Sequence, residues 1–136
     1  MNSTEKRNIL FTLVASLLSG ISIFILDSYF QVEKPWGVVS HPYLDKAKML
    51  HYLVTPLLVL SIGFIIKSHI FKKLKNLEFE KKKRTGLILC FLLVALIYSG
   101  QSLLFITDPT IKLIFVYIHL GIGLLSGATV MAHLRS

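Results

Sequence analysis

Four long apolar runs constrain this chain more than any other feature. A segment of about 20 apolar residues can satisfy its backbone in hydrocarbon only by folding as a helix. The runs cover about 8–27, 49–71, 85–106 and 111–134, and the charged residues lie mainly between them or at their ends. With 54% apolar residues, 16% charged residues and a mean hydropathy of +0.68, the chain reads as an integral membrane protein. The expected fold is all-α, a four-transmembrane-helix bundle forming one membrane domain over residues 1–136. Lys6 and Arg7 give the first run the look of a signal peptide. It is long, however, and Asp27-Ser28-Tyr29-Phe30 stands where a small-residue cleavage site would be, so it is expected to be retained.

Basic residues set the expected orientation. The segment "KSHIFKKLKNLEFEKKKR" (67–84) holds eight Lys and Arg; Lys6, Arg7 and Arg135 add three more, so 11 of the 15 fall on one side. The 72–84 loop and both termini are then cytoplasmic, in a multi-pass protein of a bacterial cytoplasmic membrane. The outer side receives the 28–48 loop, whose Tyr29, Phe30, Trp36 and Tyr43 suit the lipid–water interface, and the short turn "TDPT". The net charge of +8 is concentrated in the 67–84 segment rather than in a stripe interleaved with aromatics, so nucleic acid is not an expected partner. No internal repeat is visible along the chain.

Four of the five histidines belong to the second and fourth spans. His51 and His69 are 18 residues apart, five turns, and share a helix face; His119 and His133 are 14 apart and lie within about 40° of each other. Both spans run from outside to inside. His51 and His119 are therefore expected near the outer surface, and His69 and His133 near the cytoplasm. Polar side chains at such depth are costly and mark function by default. Two imidazoles at matched depth on facing helices suit the iron of a haem, and two such pairs would hold two haems about 20 Å apart. The single cysteine, Cys90, excludes the C-x-x-C-H attachment motif and reads as a small apolar filler.

Glycines add a second line. Gly86 and Gly100 on the third span are also 14 apart, and with Gly20 on the first they offer clearance for a haem plane. Gly121, Gly123 and Gly127 on the fourth add further room, although small residues also serve plain helix–helix contact. Tyr98 and Gln101 flank Gly100 and are candidates to meet a haem propionate or a quinone.

Two parallel spans with paired histidines, and a neighbouring span with glycines 14 apart, resemble the di-haem b-type membrane cytochromes. These include the cytochrome b of quinol–cytochrome c reductases and the small cytochrome b subunits of formate dehydrogenases and nickel–iron hydrogenases. The resemblance covers the four-span core. It implies two haem b groups, ligated by His51, His69, His119 and His133, and electron passage between the quinone pool and an outer-face partner such as a c-type cytochrome or a catalytic subunit. An oxidoreductase subunit, rather than a stand-alone enzyme, is the expected form.

One departure stands out, because spacings of 18 and 14 differ by one helical turn, about 6 Å. Pro56 can kink the second span and absorb part of it. Otherwise the outer pair is the weaker, and one haem between His69 and His133 is the alternative. His41 reads as a loop residue, an alternative outer ligand, or part of a quinol site. Two other functions compete: a cofactor-free membrane anchor or assembly subunit, and a small transporter. The second suffers from the lack of any Asp, Glu, Lys or Arg well inside the spans.

Overall fold

A computed structural model of the chain describes residues 3–65 and 81–135. Residues 66–80, which include His69 and most of the expected 72–84 loop, lie outside the described residues. The elements are α1 (Ser3–Ser28), β1 (Val32–Lys34), β2 (Gly37–Val39), α2 (Leu44–Ile65), α3 (Lys81–Phe105) and α4 (Pro109–Arg135). All four helices are long and apolar enough to cross a membrane, as expected of an all-α chain of this composition. They form two compact units, each a helical hairpin: α1 against α2, and α3 against α4.

The helix starts are written in local chemistry. Asp108 precedes Pro109, and its Oδ1 accepts a hydrogen bond from the Ile111 N–H at 2.8 Å. That is an N-cap followed by proline at the first helical position, where the missing N–H costs nothing. His41-Pro42 repeats the device: His41 Nδ1 accepts the Tyr43 N–H at 3.2 Å, and the His41 carbonyl accepts the Leu44 N–H at 2.9 Å. Here the histidine caps a helix. Because α2 begins at Leu44, five residues before the expected 49, His51 is its eighth residue rather than its opening one.

Each hairpin is held by a stripe recurring every seven residues, the spacing that keeps a seam facing its neighbour. On α1 the buried residues are Thr12, Leu13, Ser16 and Ser19; on α3 they are Leu92, Leu93 and Ser99. On α2, Leu44, His51 and Leu58 form the row; on α4, His119, Ser126 and His133 do. The outer faces carry exposed Leu, Ile, Val and Phe, which suits contact with lipid.

The two hairpins are versions of one design, a relation that the sequence alone did not disclose. The first helices correspond at an offset of 80 positions (Ser19 with Ser99) and the second at 68 (His51 with His119). Corresponding hydroxyls make corresponding bonds. Ser22 and Ser102 donate to the carbonyls of Leu18 and Tyr98, at 2.8 and 2.9 Å, and Ser61 and Thr129 to those of Leu57 and Leu125, at 2.8 and 2.7 Å. Other hydroxyls are not shared: Thr12, Ser16 and Thr55 correspond to Leu92, Leu96 and Gly123, and fully buried Ser126 replaces buried Leu58. Among the described residues the Ser126 hydroxyl has no hydrogen-bond partner.

A buried hydroxyl without a partner loses its hydration uncompensated. Ser126→Ala is therefore expected to stabilise the α3–α4 hairpin by about 1 kcal/mol. Reversible unfolding in mixed detergent micelles, read by far-ultraviolet circular dichroism, measures it, and a destabilised variant would show that the hydroxyl is satisfied.

Candidate haem-ligand site

Each described histidine of the spans sits on the same two-residue platform, a hydroxyl residue followed by glycine. Ser19-Gly20 on α1 meets His51, Ser99-Gly100 on α3 meets His119, and Thr85-Gly86 on α3 meets His133. The oxygens lie 2.9, 2.9 and 3.0 Å from the respective Nδ1 atoms.

Hydrogen counting assigns the tautomer at one of these sites. The Ser19 hydroxyl donates to the Ser16 carbonyl at 3.0 Å. His51 Nδ1 also lies 3.2 Å from that carbonyl, which can only accept, so Nδ1 carries the proton. At the second site Ser99 Oγ lies 3.1 Å from the Leu96 carbonyl and 2.9 Å from His119 Nδ1. A histidine that gives Nδ1–H to a fixed acceptor is of the type that binds metal through its other nitrogen. Imidazoles so held fit the kind of ligand that haem iron takes.

The glycines act at closer range than a haem plane would require. A Cβ built on Gly100 would stand 2.9 Å from His119 Cε1, and one on Gly20 would stand 3.2 Å from His51 Cε1. At Gly86 the distance to His133 Cε1 is 3.8 Å, an ordinary contact. Glycine here lets the ring lie flat on the neighbouring helix, so that Nδ1 reaches the adjacent hydroxyl. Gly123 and Gly127 are buried on α4, whereas a Cβ on Gly121 would meet nothing within 4 Å.

The other candidates fall elsewhere. Tyr98 is 73% exposed and lies about 160° around α3 from Gly100 by helical rotation; Gln101 is also exposed. Neither joins the histidine platforms. His41 has its Nδ1 committed as an acceptor, so its neutral ring carries the proton on Nε2 and serves as a cap rather than a ligand. Among the described residues, no three His, Cys, Asp or Glu side chains gather into a metal-sized cluster.

His51 and His119 occupy equivalent positions in their own hairpins, opposite equivalent Ser-Gly pairs. At the same offset the counterpart of His133 is position 65, an isoleucine, and His69 lies outside the described residues.

The hydroxyls are the residues that reasoning from histidine and glycine missed. The signal was present, since Gly20, Gly86 and Gly100 are each preceded by Ser or Thr. Comparison with protein-family models, with characterised proteins and with solved structures gave no match.

The graded clearances give a graded expectation. Gly100→Ala displaces the His119 ring and costs about 1–3 kcal/mol, Gly20→Ala costs less, and Gly86→Ala is nearly neutral. Unfolding in mixed micelles ranks the three. In the haem-free chain, nitrogen-15 shifts of His51 are expected to report the Nδ1–H tautomer, and the opposite tautomer would overturn the assignment.

Proposed function

We propose that this chain is a b-type membrane cytochrome that carries electrons across a bacterial cytoplasmic membrane. Its ligands would be His51 and His119 for an outer haem, with His69 and His133 for an inner one. The observation that supports this most directly is the repeated platform. His51 and His119, one in each hairpin, each set Nδ1 2.9 Å from a Ser hydroxyl that is followed by glycine.

Haem b would supply a reversible one-electron iron couple. This chain's own residues do the rest. The Ser hydroxyls accept the Nδ1 protons, which makes the imidazoles better donors at Nε2 and favours the oxidised metal. Gly20 and Gly100 let the rings approach the neighbouring helix. The apolar faces keep the site dry. The distribution of Lys and Arg supports both termini lying in the cytoplasm, with the quinone pool on one side of the transfer and a redox partner at the outer face. A place as one subunit of a larger complex follows from the absence of any nucleotide or flavin motif in the sequence.

Where one haem is held, the pair His69 and His133 is the alternative. A cofactor-free anchor remains the second reading, supported by the fact that each platform also satisfies a buried imidazole without a metal.

A reduced-minus-oxidised spectrum of the purified chain, with haem quantified per polypeptide, tests the proposal. A b-type spectrum is expected, and His51→Ala or His119→Ala is expected to lower the content from about two haems to about one. Chain produced with ample haem that binds none would leave the anchor reading. Loss of haem only from His69→Ala and His133→Ala would reassign the site to the inner pair.

A further inference from the structure

The α1–α2 connection is the part of the first hairpin that its fold does not require. The second hairpin joins equivalent helices with three residues, 106–108, whereas the first uses fifteen, 29–43. Both connections carry a cap followed by proline near their ends, and the first is longer by 12 residues. Chain in excess of what a turn needs is commonly retained for a task of its own.

The first connection contains a small antiparallel ribbon, with Val32 opposite Val39, Glu33 opposite Val38 and Lys34 opposite Gly37. Pro35 and Trp36 form its tip, and Gly37 follows with φ at 132°, a backbone state that L side chains rarely adopt. Two three-residue strands are marginal in water unless they rest on something. Yet the large side chains here point outward: Trp36 is 76% exposed, and Tyr29, Phe30, Val38 and Tyr43 are exposed too. Two lysines stand over these rings, Lys34 Nζ 5.4 Å from the Trp36 centroid and Lys46 Nζ 5.1 Å from that of Tyr43.

We propose that this ribbon is a membrane-surface anchor, with Trp36 and its aromatic neighbours seated at the boundary between lipid headgroups and acyl chains. Three observations select a bilayer over a protein partner. The ribbon is tethered at both ends where apolar helices finish: Val32 follows four residues after Ser28, and Leu44 opens α2. Indole and phenol rings with an apolar body and a polar edge partition to that boundary, and lysine beside them meets the phosphates. Charges in the segment are mixed, with Glu33 and Asp45 among Lys34, Lys46 and Lys48, so no one-signed patch is present to steer a protein.

Trp36 is the only tryptophan, so intrinsic fluorescence reads this site alone. The full chain would be placed in nanodiscs of plain lipid, of lipid brominated near the headgroup end of its acyl chains, and of lipid brominated near the methyl end. The expected result is blue-shifted emission, quenched about twofold or more by the shallow bromines, less by the deep ones, and scarcely by aqueous iodide. Emission that iodide quenches freely, with equal intensity in plain and brominated lipid, would overturn the proposal and point to a surface open to a protein partner. Strongest quenching by the deep bromines would also overturn it, because the ribbon would then be buried below the headgroups. Neither outcome touches the haem reading, whose histidines sit on other elements and whose spectrum is measured separately.

Discussion

A hydrogen bond from an imidazole Nδ1–H to a serine oxygen is the interaction on which the architecture turns. Inside hydrocarbon an unsatisfied ring nitrogen costs several times what its bond gains, so each histidine must bring its acceptor with it. The acceptor is on a neighbouring helix, which ties one helix to the other at a fixed register. At two of the platforms glycine follows from the same demand, because a Cβ at Gly20 or Gly100 would crowd the ring, whereas one at Gly86 would make an ordinary contact. Serine, glycine and histidine thus form one unit of meaning.

This unit explains why the same surface serves packing and chemistry together. The stripe that buries Leu13 and Ser19 against α2 is the one that orients His51, and the stripe through Leu92, Leu93 and Ser99 does the same for His119. A side chain held in this way is preorganised, since its rotamer is set by helix contact. The weaker spot is Ser126, where the second hairpin carries a hydroxyl and the first a leucine. The two halves share their platforms while differing in how well the middle of each seam is filled.

The helices were legible because runs of apolar residues long enough to span a membrane have one structural solution. Their starts were less so. Asp45-Lys46-Ala47-Lys48 is polar and fell outside the apolar run, yet these residues are good enough helix formers to continue α2 back to the cap at His41. The histidines and glycines stood out as rare or small residues at depth. Ser19, Ser99 and Thr85 did not, since a hydroxyl in a membrane helix ordinarily bonds its own backbone, as Ser22 and Ser102 do. The duplication escaped notice for another reason. Its two helices match at different offsets, 80 and 68, so no single period runs through the chain, and the identities are Phe-x-Leu-Val-Ala-x-x-x-Ser-Gly-x-Ser in the first helices (11–22 and 91–102) but only a histidine and a leucine in the second.

The three-residue link between α3 and α4 also bears on how the chain enters a membrane. Asp108 closes the turn and starts the next helix within one residue of each other, so neither helix can reach its final depth much before its neighbour. In a membrane, two segments so closely linked would cross together, with His119 beside Ser99 as they do. The first pair, joined by fifteen residues, has slack for each helix to be placed separately, and the His51–Ser19 contact would then form between them.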